Sequence, residues 1–275
     1  MLSYQHGYHA GNFADVLKHA ILSQIIHYLT QKEKPLLYLE THAGKGVYDL
    51  QDKQAIKTGE AKEGIELLWR ARKQLPDIFA HYIASIEKIN ANETLRYYPG
   101  SPLLAIHTLR KKDRLVCCEL HPGEYQQLIH IARRDNQVTF IDEDGLSQLS
   151  AQLPPKERRG LIFMDPSYEV KTDYRHIPIQ INAAVQRFST GVYCLWYPLV
   201  DNKLHHQLIR GLEQIGTEKK LQIEFYLNER VQAGMRGCGL WVINPPYQLA
   251  TQAKKILTTL GQYFNPGLSS YLIKT

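Results

Sequence analysis

The chain has 275 residues, of which 44% are hydrophobic and 22% are charged, which is enough for a full hydrophobic core. Its net charge of +6 suits a polyanionic partner without requiring one. The four cysteines lack C-x-x-C spacing, which argues against a disulfide framework or a zinc site. No apolar run approaches the ~20 residues that span a bilayer, and the N-terminus lacks a signal pattern. We therefore expect a cytoplasmic protein without a membrane partner.

The first elements of the chain read as a helix followed by a strand. Asn12 can cap a helix with Asp15 in its first turn, and apolar residues then follow at helical spacing as far as Leu29. Pro35 ends that unit. The continuous apolar run 36–39 predicts a strand that is covered on both faces.

Six more segments have the composition of strands, and helical stretches separate most of them. They are Arg114–Glu119, Gln137–Ile141, Leu161–Asp165, Gly191–Trp196, Leu221–Leu227 and Gly239–Asn244. The alternation predicts an α/β fold with a mostly parallel sheet. Only a short Gly-rich link joins the last two strands, which favours a hairpin. Six parallel strands and one antiparallel strand are the layout of the Rossmann-like class I methyltransferases that use S-adenosylmethionine (SAM).

A long segment separates the first two strands of this prediction, far more than a normal crossover requires. Within it, Glu60–Arg72 and Pro76–Ile89 have helical patterns. We therefore expect a small helical insertion at 52–108. Residues 1–51 and 109–275 would form the Rossmann-like domain.

The most informative segment is the loop that follows the fourth predicted strand, Asp165-Pro166-Ser167-Tyr168. It differs by one residue from Asp-Pro-Pro-Tyr, which resembles the catalytic loop of enzymes that methylate an exocyclic amine, especially adenine N6. Asp165 and the carbonyl of Pro166 can each accept one hydrogen of such an amine, and this directs the nitrogen lone pair at an electrophilic methyl group. Pro166 stiffens the turn, and Tyr168 could stack on a base that has left its helix. An ordinary Asp-Pro turn explains the segment equally well when it is taken alone.

Other candidate ligand-binding residues follow successive predicted strands. Gly44 and Gly46 allow a tight turn after the first strand, Glu119 ends the second, and Asp144-Gly145 follows the third. An acid at the position of Glu119 can bind both ribose hydroxyls of an adenosine. Each feature alone is also consistent with a helix cap or a plain turn. Because all of these residues follow successive strands, they should lie at the same edge of the sheet, and this arrangement favours a SAM site.

A second amine-methylation motif, Asn244-Pro245-Pro246-Tyr247, matches the pattern at every position. It follows the predicted antiparallel strand, so we expect it at the opposite edge of the sheet from the cofactor. We therefore predict a strand-to-helix turn there. A circular permutation of the fold would reverse the choice between the two motifs.

Histidines crowd the first part of the chain. His6 and His9 could share a metal, but no carboxylate or thiol pattern completes a site, and we predict no metal. Lys18 and His19 lie on the first helix beside the proposed pocket, where they could contact the cofactor carboxylate.

Several segments together resemble one family, the bacterial RlmJ enzymes, which are adenine-N6 methyltransferases of 23S ribosomal RNA. The resemblance runs nearly end to end. The segments that carry it are Met1–Tyr4, His9–Asn12, Asp15–His19, Thr41–Gly44, Arg96–Pro102, Glu119–Pro122, Arg158–Leu161 and Leu195–Pro198.

The resemblance implies a monomeric, SAM-dependent enzyme that methylates N6 of one adenine in 23S ribosomal RNA. It places seven residues in the cofactor site: His19, His42, Ser101, Glu119, Asp144, Gly145 and Asp165. It makes Asp165 the catalytic acceptor, with Pro166 and Tyr168 beside it, and it assigns Tyr4 and Lys18 to the substrate. The insertion would help to hold RNA.

The chain departs from the family pattern at Ser167, where proline is expected. Serine has a freer φ, so the loop should be less rigid and the rate could be lower. Two alternatives stay open at this point. One is a DNA adenine-N6 methyltransferase, and the other is a non-catalytic nucleic-acid-binding protein linked to the use of external DNA.

Overall fold

A twisted sheet of eight strands forms the centre of the molecule. The structure, a computed structural model, describes residues 4–131, 137–200, 202–227 and 235–275. Residues 1–3, part of the first family-like segment, lie outside these ranges. The strands are β1 (Leu37–Glu40), β2 (Val47–Asp49), β3 (Tyr97–Pro99), β4 (Arg114–Cys118), β5 (Val138–Ile141), β6 (Gly160–Met164), β7 (Val192–Leu199), β8 (Lys220–Tyr226), β9 (Gly237–Ile243) and β10 (Ser270–Lys274).

Helices cover both faces of this sheet. They are α1 (Phe13–Thr30), α2 (Lys53–Thr58), α3 (Ile65–Ala71), α4 (Ala80–Glu87), α5 (Ser101–Thr108), α6 (Pro122–Leu128), α7 (Gly145–Gln152), α8 (Asp173–Arg187), α9 (Asn202–Glu213) and α10 (Leu249–Tyr263). Within the described ranges, no helix is both long and apolar enough to cross a membrane.

The strand order of the large sheet is β10-β8-β9-β7-β6-β1-β4-β5. Neighbours from β5 to β7 pair in parallel, and β9 is antiparallel to both β7 and β8. These pairings confirm the mostly parallel α/β sheet and the C-terminal hairpin. Because parallel strands end at one edge, the loops after β1, β4, β5 and β6 meet there.

The predicted count of seven strands is one too low. Strand β10 pairs antiparallel with β8 at the edge of the sheet. Its residues Tyr271 and Leu272 remain 41% and 40% exposed. A half-covered edge strand has no continuous apolar run, which is why its sequence did not stand out.

The predicted strand ends shift by a few residues, and two shifts affect the site. Strand β6 ends at Met164 and β4 ends at Cys118, so that Asp165 and Glu119 lie just beyond the sheet. Strand β7 continues to Leu199 because β9 pairs with it along that length.

Helix α1 is buried along almost its whole length. The side chain of Asn12 accepts a hydrogen bond from the backbone N–H of Asp15 at 2.9 Å, as the capping pattern predicted. The helix packs against α4, α5 and α10. Its polar residues Asp15, Lys18 and His19 are therefore buried as well.

A two-stranded antiparallel sheet of β2 and β3 lies beside the large sheet. Between these two strands, the helix predicted at Glu60–Arg72 is interrupted at Gly64, and α3 begins only at Ile65. The interruption occurs because the chain at Gly64 passes close to the loop before α1. The N–H of Ile65 donates to the carbonyl of Gly11 at 2.7 Å, and a Cβ on Gly64 would lie 2.1 Å from that oxygen. Helix α5 packs on α1 and leads into β4. The division of the chain at 52–108 stays a prediction.

Candidate active site

The loop Asp165–Tyr168 leaves the sheet at the end of β6, between the neighbouring strands β1 and β7. Oδ2 of Asp165 accepts a hydrogen bond from the Nζ of Lys18 at 2.5 Å. Tyr168 has a φ of 55°, and its hydroxyl donates to the carbonyl of Trp196 at 3.1 Å. Its ring lies 4.6 Å from that of Tyr174 and is 7% exposed. In this arrangement Tyr168 fixes the loop, and little of its ring is open to a base.

Lys18 bridges two carboxylates. Its ammonium lies 2.5 Å from Asp165 and 2.9 Å from Oδ1 of Asp15, and its side chain is only 4% exposed. Burial lowers the pKa of Lys18, but the two carboxylates more than offset this, so the net shift is upward. Burial likewise raises the pKa of Asp15, but His6 and Lys18 hold it well below its usual range. The pair is therefore ionised.

Tyr4 joins the same network from the N-terminal segment. Its hydroxyl lies 2.9 Å from Nδ1 of His6, and Nε2 of His6 lies 2.8 Å from Asp15. A continuous chain of polar contacts thus runs from Tyr4 through His6, Asp15 and Lys18 to Asp165. The sequence pointed to Tyr4, Lys18 and Asp165 separately. It gave no sign of the link through Asp15, because an acid in the first turn of a helix has an ordinary role there.

The two N-terminal histidines have different partners, since His9 pairs with Glu60 at 2.9 Å and His6 pairs with Asp15. Among the residues whose placement is described, no group of three or more His, Cys, Asp or Glu side chains could hold a metal ion.

Glu40 at the end of β1 is a buried acid that sequence reasoning did not single out. It is fully buried, and it accepts hydrogen bonds from the hydroxyls of Ser101 and Tyr38. Burial raises its pKa well above the usual range, although the two hydroxyls partly oppose this. Through its bond from the Ser101 hydroxyl, Glu40 fixes Ser101, the first residue of α5, against the end of β1.

Glu119 organises the glycine turn after β1. Its two carboxylate oxygens accept backbone hydrogen bonds from Gly44 and His121, each at 2.7 Å. Burial raises the pKa of Glu119. Gly44 and Gly46 have φ values of 61° and 78°, which explains the need for glycine at both positions.

Asp144 and Gly145 begin helix α7 beside this turn. The Asp144 side chain caps the helix by accepting from the N–H of Leu146 at 3.1 Å. A Cβ on Gly145 would lie 2.1 Å from the carbonyl oxygen of Thr41, so only glycine permits this approach. The hydroxyl of Thr41 lies 2.7 Å from Nδ1 of the adjacent His42, whose pKa is lowered by burial.

His19 lies one residue beyond Lys18 and is 1% exposed. Its Nδ1 is 2.7 Å from the hydroxyl of Tyr98. Burial lowers its pKa well below the usual range, so the imidazole is neutral. The Tyr98 hydroxyl is thus a polar partner of the His19 ring, and almost none of His19 is exposed to solvent.

The polar groups at this edge suit a ligand with a diol and an amino-acid end. Each oxygen of Glu119 uses one lone pair on the backbone and keeps another as an acceptor for a hydroxyl. Ser101, His42 and the backbone of the Gly44 turn supply further polar groups nearby.

Asn244 lies at the opposite edge of the sheet, directly after antiparallel β9, as predicted. Together, the sheet order and these strand-end residues define a Rossmann-like fold of the class I SAM methyltransferases.

Comparison with known proteins identifies the family within this class. The model of the family described as "Ribosomal RNA large subunit methyltransferase D, RlmJ" matches residues 33–272. The chain belongs to this family, which confirms the resemblance noted in the sequence.

Two curated relatives carry the name "Ribosomal RNA large subunit methyltransferase J". The protein of Haemophilus influenzae is 45% identical over 277 residues, covering 100% of this chain and 98% of the relative. The protein of Escherichia coli strain K12 is 46% identical over 261 residues, covering 94% and 93% of the two chains.

A solved structure has the same fold over nearly the whole chain. The crystal structure of protein LPL1258 from Legionella pneumophila is 52% identical to this chain and superposes with a TM-score of 0.93. The alignment covers 97% of this chain and 98% of that one.

Proposed function

We propose that this protein is a SAM-dependent methyltransferase that modifies the N6 amine of one adenine in 23S ribosomal RNA. The observation that carries this proposal is the position of Asp165. Its carboxylate follows β6, which pairs with β1. The glycine turn after β1 is held by Glu119, which follows β4. The reacting amine and the cofactor would then meet at one edge of the sheet, as the fold requires.

Asp165 would act as the acceptor for the amine. Lys18 donates to its Oδ2, and its Oδ1 would accept one N6 hydrogen. The carbonyl of Pro166 would accept the other. With both hydrogens bound, the nitrogen lone pair points away from the protein acceptors and toward the cofactor. Lys18 positions the carboxylate and keeps it from rotating.

SAM supplies the electrophilic methyl group when it is bound. Glu119 would accept from the ribose hydroxyls, and Asp144 with Gly145 would flank the adenine of the cofactor. His19, His42 and Ser101 would complete the proposed cofactor site.

Tyr4 is the proposed contact to the target nucleotide. It is 37% exposed and is connected through His6 and Asp15 to Lys18. Contact with a base would thus be transmitted to the carboxylate that holds the amine. The role of Tyr168 as a stacking residue requires that its ring be uncovered when RNA binds.

Transfer of labelled methyl from SAM tests this function. The substrates are unmodified 23S ribosomal RNA and duplex DNA, and the enzymes are the native chain and Asp165→Ala. We expect label on the RNA alone, and we expect the substitution to abolish it while the fold stays intact. Label on the DNA alone would favour the DNA methyltransferase alternative. RNA binding without SAM binding would favour the non-catalytic alternative.

We keep the monomeric state and the cytoplasmic location as predictions. Sedimentation of the purified protein tests the first, and fractionation of cells tests the second. A stable dimer or a membrane-bound pool would contradict them.

A further inference from the structure

A basic cleft lies at the edge of the sheet opposite to Asp165. It has a volume of about 770 Å³ and is bounded by the start of β6, the turn after β9 and the segment after α1. Strand β6 has five residues, so at a rise of about 3.3 Å per residue the cleft begins roughly 17 Å from the catalytic loop. It is therefore separate from the proposed active site.

The lining of the cleft is strongly cationic. Lys32, Lys34, Arg158 and Lys219 line it and are exposed, and none of them forms an ion pair with a carboxylate of the described residues. The acid in the lining, Glu157, is already neutralised, because Arg114 binds both of its oxygens at 2.9 and 3.2 Å.

A fifth cation serves to build the cleft. The guanidinium of Arg159 donates to the carbonyls of Lys34 at 2.6 Å and Leu29 at 2.7 Å. These bonds hold the segment after α1 against the start of β6. The positions of Lys32 and Lys34 are thus fixed relative to Arg158.

An aromatic ring stands beside these charges. Tyr247 also lines the cleft and is 91% exposed, more than any other large hydrophobic residue described. Its turn is fixed at Asn244, whose side-chain amide donates to the carbonyls of Ser189 at 2.8 Å and Gly191 at 2.7 Å. Arg158 and Asn244 both have positive φ values, of 54° and 53°. Backbone of this kind is costly for residues other than glycine and persists where the surroundings hold it.

Unpaired cations around an exposed aromatic ring are the arrangement that binds single-stranded nucleic acid. The cations take the phosphates, and the ring stacks on a base without regard to its identity. We propose that this cleft is a second RNA-binding site, which holds a single-stranded segment of the ribosomal RNA substrate distant from the target adenine. This inference rests on the proposed function, since it concerns the same RNA.

The structure also suggests what this site would do. A long RNA that contacts both edges of the sheet would bind more tightly than a short hairpin that reaches only the active site. The second contact would lower KM for long RNA and leave kcat unchanged, because no cleft residue touches the reacting atoms.

The test compares two RNAs and three variants. The RNAs are unmodified 23S ribosomal RNA and a short hairpin that carries the target adenine. The variants are Tyr247→Ala, the double variant Lys32→Gln/Lys219→Gln, and the control Lys254→Gln/Lys255→Gln. The control removes the same charge from the exposed face of α10. KM, kcat and the salt dependence of RNA affinity are measured for each.

We expect Tyr247→Ala to raise KM for the long RNA roughly fivefold or more, as loss of one stacked base would. The lysine double variant should reduce the slope of log affinity against log salt by about 1.4, at about 0.7 for each lost phosphate contact. The hairpin should show no change, and the control should match the native protein on both RNAs.

The outcomes separate this inference from the proposed function. If the native protein methylates RNA but the cleft variants match the control on the long RNA, the second site is wrong and the proposed function stands. Equal losses on the hairpin and the long RNA would also contradict the inference, because the cleft would then act on the whole fold. If the native protein methylates neither RNA, the proposed function fails; the salt slopes of RNA binding then still decide whether the cleft binds RNA.

Discussion

Replacing Lys18 by methionine should damage both the stability and the activity of this protein. Methionine keeps the length of the side chain but removes the ammonium that lies between Asp15 and Asp165. Asp15 is 1% exposed and Asp165 is 16% exposed, so neither carboxylate recovers full hydration when its partner is lost.

The size of the effect follows from this burial. Removing one partner of a buried ion pair costs about 3–5 kcal/mol because the other charge is left uncompensated. Asp15 keeps two hydrogen bonds, from His6 at 2.8 Å and from the N–H of Gly11 at 2.8 Å. We therefore expect a loss near the lower end, about 3 kcal/mol of unfolding free energy. Methyl transfer should fall roughly 100-fold, because the carboxylate loses its fixed position.

Urea unfolding and methyl transfer measure these two effects. The double variant Lys18→Met/Asp15→Asn should be more stable than the sum of the single losses predicts, by about 1–3 kcal/mol. Lys53→Met is the control, since Lys53 is exposed and its replacement should stay within about 0.5 kcal/mol. A loss below about 1 kcal/mol for Lys18→Met, with normal turnover, would refute the assigned role of this bridge.

Three further predictions concern other parts of the fold. Gly145→Ala should destabilise the protein by about 1–3 kcal/mol, because the new Cβ would lie 2.1 Å from the Thr41 carbonyl oxygen. The matched control is Gly216→Ala, since a Cβ there would have no atom within 4 Å. Equal urea midpoints for the two variants would contradict this prediction. Burial raises the pKa of Glu224, but bonds from His205 and Tyr226 bring it to about 2, below the usual 4.5. Its carboxylate therefore stabilises the fold above pH 4.5 by about 3 kcal/mol, and this contribution is lost between pH 4.5 and 2. Glu224→Gln should flatten the pH dependence of unfolding in that window, and an unchanged curve would disprove it. No hydrogen bond from the N–H of Ser167 is found within the described ranges. Ser167→Pro should therefore stabilise the protein by about 0.4–1 kcal/mol and raise kcat by making the loop more rigid. A slower and less stable variant would show that rigidity of this loop does not favour turnover.

The pattern of the sequence predicted most of the fold because buried parallel strands have a simple signature. The apolar runs before Asp165 and Glu119 identified the two strands that carry these acids. The short link before β9 identified the hairpin, and this placed Asn244 at the far edge. Strand β10 was missed because one of its faces is open to solvent.

The positions of the candidate site residues were predicted in part, and their roles stay predictions. Asp165 and Glu119 could be found because each directly follows an apolar run that predicts a parallel strand. The links between them could not, since the contact of Lys18 with Asp165 joins residues far apart in the chain and depends on how α1 packs in the folded protein. Glu40 was missed for a related reason. From the sequence, an acid at the end of an apolar run is expected to be solvated, and only the folded structure shows that Glu40 is buried beneath Ser101 and Tyr38.

The most direct test of the central claim is nucleoside analysis of methylated RNA. Unmodified 23S ribosomal RNA is incubated with SAM and either the native chain or Asp165→Ala, then digested and separated by mass spectrometry. We predict N6-methyladenosine with the native chain and none with Asp165→Ala. Methylation on another atom, or equal N6-methyladenosine from both proteins, would contradict the role given to Asp165 in holding the amine.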